Sequence, residues 1–375
     1  MAVPLAPNQV AARLDRLPVG WFHYRFLTWI ALGAWFDYYD NFVAASLAAI
    51  LPRAGVLPPT QPGEWVSPVG LFTATLPLGM FLGSLFFGIA SDYLGRRFAF
   101  VAMLLVYSLA TLAGGAGYYP LAAAAGTWAG LMLLFTSRLI AGAGIGAENV
   151  IIDAYVSEVM PRQMRGRAIA LTHAVAFTAL PIAGLLARLL APQESPHGWW
   201  LLLVIGSAGA LFTWYFRRRL PESPRWSATI GRHEQAVAAL TAIETEVERQ
   251  TGCALPPVHV PAQPQPARSP WWEIWSSRYR GRTIMLVVFH LLQTVGYYGF
   301  MHWLVVLAEQ KGLQHNEALV LYAAASVLAP VGPLLGAWSC ERWQRQRLLV
   351  VLALAIAAGQ VVFGCLRSSI LLGLM

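Results

Sequence analysis

The sequence predicts an all-α protein that crosses a membrane many times, and three observations carry that prediction. Of 375 residues, 57% are apolar and only 12% are charged, about half the charged fraction of a soluble domain. Charge-poor windows long enough for a bilayer recur along the whole chain. The basic residues collect between alternate windows, as they do on the cytoplasmic side of membrane proteins.

Nine windows are candidate spans: Phe26–Leu51, Pro68–Ser91, Phe98–Pro120, Leu121–Ser137, Ala168–Ala187, Trp199–Phe216, Thr283–Ala308, Ala318–Cys340 and Leu348–Leu366. With the N-terminus placed inside, the inner segments hold most of the 26 basic residues, including every arginine from Arg217 to Arg282. Only Arg53, Arg188, Lys311 and Arg367 fall outside, and Arg138 falls within a helix. The net charge of +8 is therefore a topology signal, and no nucleic-acid partner is expected. The first twenty residues contain Arg13, Asp15, Arg16 and several prolines with no apolar core, so no cleavable signal peptide is expected. Three scattered cysteines offer neither a disulfide framework nor a zinc spacing. HExxH, P-loop and GxSxG patterns are missing from the sequence, so neither an enzyme nor a cofactor is expected.

The first window carries Asp37 and Asp40 near its middle. A carboxylate at that depth costs several kcal/mol unless it faces protein, water or a partner charge. Three-residue spacing places both acids on one helical face, where two carboxylates in low dielectric do not both ionise easily. A shared proton at mid-membrane is what a proton-coupled carrier needs; the plainer alternative is an acid paired with an arginine of another helix.

Between the sixth and seventh windows lies a hydrophilic stretch from Arg217 to Arg282. Within it, His233–Gln250 reads as an amphipathic helix, and Pro256 to Pro270 as an extended proline-rich linker. The run Trp271-Trp-Glu-Ile-Trp-Ser-Ser-Arg-Tyr-Arg-Gly-Arg282 suits a membrane interface. The expected division is therefore an N-terminal six-helix bundle over 1–220, a central cytoplasmic loop over 221–280, and a partial C-terminal bundle of three helices over 281–375. A weak repeat supports two halves: Pro77-x-Gly79-x-x-x-Gly83 recurs as Pro330-x-Gly332-x-x-x-Gly336, followed by an acid and arginines each time. Small residues four apart let helices approach closely.

Four motifs carry a family resemblance. Gly88-Ile-Ala-Ser-Asp92-Tyr-Leu-Gly95-Arg96-Arg97 follows the second window, and Arg138-x-x-x-Gly142-x-Gly144-x-Gly146 runs through the fourth helix. Tyr155-x-Ser157-Glu158, with Arg165-Gly166-Arg167 beyond it, precedes the fifth window; Pro221-Glu222-Ser223-Pro224-Arg225 follows the sixth. In this order they resemble the major facilitator superfamily and its sugar-porter loops. The resemblance implies a two-bundle fold of twelve helices, of which about nine are present, so a C-terminally truncated chain is expected. It implies a secondary transporter working by alternating access.

Two departures point away from hexoses. The seventh window reads His290-Leu-Leu-Gln293-Thr-Val-Gly296-Tyr297, with only fragments of the sugar-binding pattern, and position 153 is Asp where sugar porters carry Pro. The D-x-x-D of the first helix is similar to metabolite:H+ symporters, including carriers of nicotinate, aromatic acids and phosphate. The expected activity is proton-coupled symport of a small organic anion. The alternatives are a neutral-solute carrier of sugar-porter type, a drug:H+ antiporter and a truncated, non-transporting fragment. Proton coupling and substrate binding fall to Asp37, Asp40, Arg138, Glu148, Gln293 and Tyr297. A cytoplasmic gating network falls to Asp92, Arg96, Arg97, Glu158, Arg165, Glu222 and Arg225. Asp153 is assigned to the cytoplasmic charge cluster; His173, His290 and His302 are either proton relays or packing residues. Glu148 stands ten residues beyond Arg138, about 15 Å along a helix, too far to pair with it. No metal or cofactor is expected. The partners are the substrate, protons and the bilayer of the plasma membrane, for a monomer whose N-terminus is cytoplasmic.

Overall fold

A computed structural model describes residues 6–58, 67–192, 196–218, 220–260, 270–339 and 342–365. The chain is an all-α polytopic membrane protein. In order come α1 (Pro7–Asp15), α2 (Trp21–Arg53), α3 (Pro68–Leu94), α4 (Arg96–Ala125), α5 (Thr127–Val159), α6 (Arg165–Phe177), α7 (Ala179–Leu190) and α8 (Trp199–Arg217). After them come α9 (Pro224–Thr229), α10 (His233–Thr251), α11 (Arg280–Gln310), α12 (His315–Leu328), α13 (Val331–Ser339) and α14 (Arg345–Cys365). Two compact units form: Met1–Gln263 with Ala329–Ala337, and Pro264–Leu328 with Trp338–Met375.

All nine windows lie on helices as far as they are described. Seven stretches are long and apolar enough to cross a membrane, with α6–α7 and α12–α13 each counted as one. The two further windows are α8, whose apolar part is short, and α2, which carries both acids. One boundary differs from expectation. The run Leu121–Ser137 is divided, because α4 continues to Ala125 and α5 begins at Thr127. A charge-free window ends at Arg138, whereas the helix continues through it to Val159 because that guanidinium is buried and paired within the bundle.

Local chemistry sets the helix ends. Ser67 caps α3 by accepting a hydrogen bond from the Gly70 amide at 2.9 Å, and Pro68 opens the first turn, where its missing N–H costs nothing. Gly95 ends α3 and begins α4 at φ 110°, a left-handed conformation open to glycine with no steric penalty. Ser223 caps the short α9 in the same way, over Pro224.

In the first unit α5 is the central helix, packed on α3 and α4; α4 also packs on α8, and α2 on α6, α7 and α8. The approach of α3 to α5 is the closest feature of this packing. A Cβ on Gly83 would stand 1.9 Å from the Ala143 carbonyl oxygen, and one on Gly142 2.2 Å from that of Leu76. The same spacing in α13 has no such role, since a Cβ on Gly332 or Gly336 would meet no atom within 4 Å. Leu78, Phe81, Leu85 and Phe86 of α3 are exposed, a row suited to acyl chains rather than water.

Of the hydrophilic stretch expected to be a connector, the described part through residue 260 is folded onto the first unit, and residues 270–282 belong to the second. Its α10 is the expected amphipathic helix. Ala236, Leu240, Ile243 and Val247 join Val10, Leu14, Phe22, Phe26, Val156 and Val159 in one apolar core at this end of the bundle. Residues 261–269 of the expected proline-rich linker lie outside the described residues. In the second unit Leu304, Ala308, Leu313 and Phe363 form a small core. There the Gln360 amide donates to the Gly296 carbonyl at 3.0 Å and the Lys311 ammonium to that of Gly364 at 2.7 Å.

The two halves of the repeat predict opposite responses to one added methyl. Gly83→Ala is expected to lower stability by about 1–3 kcal/mol through overpacking, whereas Gly336→Ala is expected to be neutral or slightly stabilising. Thermal unfolding midpoints in detergent check the pair.

Candidate functional site

The two acids of α2 do not share a site; they turn to different partners. Asp40 receives the Arg138 guanidinium in two parallel bonds, Nη1 to Oδ1 and Nη2 to Oδ2, both at 2.9 Å. Arg138 Nη2 also donates to the Asp40 carbonyl at 3.4 Å, and the Thr111 hydroxyl of α4 donates to Oδ2 at 3.3 Å. Both side chains are buried to within 2%. The planar guanidinium fork matches a carboxylate in this geometry, and the added donors offset part of the cost of burying the charges.

Asp37 sits one turn toward the N-terminus of α2, at 0% exposure. Neither of its carboxyl oxygens has a hydrogen-bond partner of ordinary geometry. Its polar neighbours are Glu148, Arg217 and the hydroxyl of Tyr107, itself without a partner. Glu148 is held by Arg217 through Oε1, while its Oε2 is unpartnered. The expectation of one coupled Asp37–Asp40 pair is thus corrected. Residues three apart differ by about 60° around a helix, enough for Asp40 to meet α5 at Arg138 while Asp37 faces Glu148 and the end of α8.

Arg217 is the residue that sequence reading misplaced. Counted among the loop arginines, it is wholly buried, with its guanidinium 3.7 Å from the Phe100 ring centroid. Its Nε and Nη2 donate to the carbonyls of Trp29 at 3.4 Å and Ile30 at 3.3 Å. Gly33 makes room for it, because a Cβ there would lie 1.4 Å from Arg217 Nη2. The buried centre therefore holds three carboxyl groups, Asp37, Asp40 and Glu148, against two guanidinium groups. Glu148 and Arg138 do not pair, as the spacing required.

At the α9–α10 end, the expected gating residues meet within the first unit. Arg96 pairs with Asp92 at 2.6 Å and Glu158 at 3.1 Å. Glu222 accepts from the Arg97 amide at 3.0 Å, the Arg97 guanidinium donates to the Arg218 carbonyl, and the Trp226 indole donates to the Asp92 carbonyl at 2.9 Å. Arg165 and Arg225 converge on Asp15 of α1, each at 2.7 Å, and the Arg162 amide donates to the same oxygen. The sequence analysis gave Asp15 no role in this network, although Val10, Leu14 and Leu17 at helical spacing mark α1 as amphipathic. Nearby, Arg13 and Arg16 both bind Glu244 of α10. Asp153, expected in this cluster, instead meets His173 of α6 at 3.2 Å. Gln293, exposed, and Tyr297, half-buried, stand one turn apart on α11 of the second unit. The His302 side chain lies outside the described residues. Among those residues, no group of three or more His, Cys, Asp or Glu is placed to hold a metal.

Residues 26–371 match the family described as sugar (and other) transporter. The putative metabolite transport protein YyaJ of Bacillus subtilis is 31% identical over 362 residues, 95% of this chain and 75% of that protein. The niacin transporter NiaP of Acinetobacter baylyi is 29% identical over 378 residues, 97% of this chain and 80% of that one. Among solved structures, the proton:xylose symporter XylE is similar at a TM-score of 0.65 and 17% identity, over 87% of this chain and 71% of that chain. That likeness is one of fold: this chain shares the architecture of a structure described as a major facilitator superfamily protein.

The pairs predict two outcomes. Arg138→Met strands a buried carboxylate and is expected to cost about 3–5 kcal/mol of stability, whereas Asp40→Asn with Arg138→Met costs less; unfolding midpoints in detergent test this double-mutant cycle. For Glu244, burial pushes the carboxyl up, but the hydrogen bonds and charges of Arg13 and Arg16 outweigh it and hold it below its usual 4.5. A lowered folded value stabilises above the unfolded value and is lost as pH falls through the folded one. Hydrogen exchange of the α1 amides, corrected for intrinsic rate, is expected to stay slow at neutral pH and accelerate below about pH 4. In Glu244→Gln it is expected to be fast throughout.

Proposed function

Since this chain belongs to the sugar (and other) transporter family, we propose that it is a secondary carrier moving a small organic anion with protons by alternating access. The observation that carries the proton reading is the odd carboxyl group. Asp40 has Arg138 and Glu148 has Arg217, whereas Asp37 is fully buried with no cation of its own. Fully ionised, the centre holds one uncompensated negative charge in low dielectric; one proton on Asp37 removes it. Proton binding then changes the charge of the helix face that also carries Asp40. A proton-dependent carrier needs such a link between protonation and conformation.

The anion is supported by the niacin transporter among the relatives, since niacin is a carboxylate at neutral pH. Arg138 is the proposed recognition charge, and a substrate carboxylate reaches it in competition with Asp40. On the second unit, Gln293 and Tyr297 are the proposed hydrogen-bonding residues. The network of Asp92, Arg96, Arg97, Glu158, Arg165, Glu222 and Arg225 is the proposed gate. The basic loops support a cytoplasmic position for it with the N-terminus inside, and the proposed site of action is the plasma membrane. One observation favours a second reading. Both terminal nitrogens of Arg138 are engaged by Asp40, which suits a neutral solute that needs no free guanidinium.

Reconstituted vesicles separate these readings. Radiolabelled niacin is expected to accumulate under an imposed pH gradient, with unlabelled niacin competing at least tenfold better than nicotinamide; equal competition favours the neutral-solute reading. Asp37→Asn is expected to abolish accumulation while niacin exchange across the vesicle wall continues. Accumulation by this variant at the wild-type level would remove Asp37 from the proton path.

A further inference from the structure

A second titratable constellation stands on another face of α2. Tyr38, the residue after Asp37, points to α6, where its hydroxyl lies 3.1 Å from His173 Nδ1. The other ring nitrogen, Nε2, lies 3.2 Å from Oδ1 of Asp153 on α5. Three helices of the bundle, α2, α5 and α6, thus contribute one side chain each to a chain of two hydrogen bonds. Phe177 and Phe42 pack edge-on and tilted around the Tyr38 ring and hold it in place. The His173 side chain is 25% exposed and that of Asp153 50%. A half-exposed carboxylate on a spanning helix cannot face acyl chains without a large cost, so this face meets water.

We propose that Asp153, His173 and Tyr38 form a second proton-binding site, separate from Asp37, in which protonation of His173 reverses its hydrogen bond with Tyr38. An ionised carboxylate only accepts hydrogen bonds. Asp153 therefore fixes the neutral imidazole with its N–H on Nε2, leaving Nδ1 to accept from the Tyr38 hydroxyl. A proton taken from water adds to the Nδ1 lone pair, and no other bond changes. Nδ1 then donates, the Tyr38 oxygen accepts, and the phenolic hydrogen turns to a new acceptor. The imidazolium is held at one end by a carboxylate and at the other by a hydroxyl oxygen. α2 would thus read protons on two faces: by neutralising a carboxyl at Asp37, and by redirecting a donor at Tyr38.

Tyr38 and Asp153 are the titratable groups that face His173 from the elements packed against it. From α2 only Tyr38 reaches it, since Asp40 is tied to Arg138 and Asp37 faces Glu148 and Arg217. From α5 Asp153 reaches it, while Glu148 and Glu158 are engaged by Arg217 and Arg96. The sole titratable residue of α7, Arg188, lies fifteen residues along the chain, about 22 Å away along a helical axis. On α6 itself the nearest charge is Arg167, almost two turns back and exposed.

The experiment is a pH titration by NMR of the full chain in lipid nanodiscs, with 13C at histidine Cε1 and tyrosine Cζ. His173→Gln identifies the His173 signal among eight histidines, and Tyr38→Phe that of Tyr38. Across the pH range scanned, the His173 signal is expected to show a step, and the Tyr38 signal to move with it and to lose that step in His173→Gln. Asp153→Asn replaces the carboxylate by an amide that can donate or accept, and is expected to shrink the Tyr38 step because the tautomer is no longer fixed. Asp37→Asn is expected to leave both steps in place, which keeps this site distinct from the proposed coupling carboxyl. A His173 signal flat over this range overturns the proposal, as does a Tyr38 signal that stays flat while His173 titrates.

Discussion

Two parallel hydrogen bonds between Asp40 and Arg138 set the depth at which α2 and α5 meet, and the first unit is arranged around that fixed point. The fork-to-carboxylate geometry tolerates little sliding. Arg138 and Glu148 share one rigid helix, so fixing Arg138 against α2 also fixes the height of Glu148 beside Asp37. A slip of one turn, about 5.4 Å, would separate both acids of α2 from their neighbours at once. The α3 glycines reinforce this register through their own contacts with α5, where backbone meets backbone and no side chain can adjust.

The charge arrangement reverses between the centre of the bundle and its end. At the centre, carboxyl groups outnumber guanidinium groups, and the surplus one is buried. At the α1–α10 end, Asp15 and Glu244 each collect two arginines. An acid held by two arginines in partly exposed surroundings serves as a fixed joint. An acid without a cation in a dry interior is the group proposed above to take the proton. The same side-chain chemistry therefore serves opposite ends according to burial and the number of partners.

Much of this was legible in the sequence, and the limits have physical causes. The helices were, because nine charge-poor windows leave few alternatives and because Gly95, Ser67 and Ser223 are local signals. The burial of Asp37, Asp40 and Arg138 inside the bundle was too, because charge in a spanning helix is expensive wherever it falls. Their partners were not. Spacing along one helix shows which residues share a face, but the helix facing them is a matter of packing. Arg217, Arg218 and Arg219 read alike as a basic triplet. Only a carboxylate 69 residues earlier distinguishes the first as a buried residue. Asp153 and His173 were read separately for the same reason, since no local pattern connects α5 to α6 across a turn. The α13 glycines show the opposite error: the motif recurs where an added Cβ would have open space.

The buried Glu148–Arg217 pair constrains how the chain can be made. Synthesis runs from N- to C-terminus, so α5 reaches the bilayer with Arg138 and Glu148 before α8 delivers Arg217. Left alone in lipid, each of those charges would cost about 3 kcal/mol on insertion scales. Asp40 is already in place on α2 to receive Arg138, but Glu148 has no guanidinium until three more helices have been threaded. Release of α5 as an independent span is therefore disfavoured. The first helices must be held together, sheltered at the insertion machinery or with Glu148 protonated, until α8 arrives and the last of the buried arginines closes the bundle.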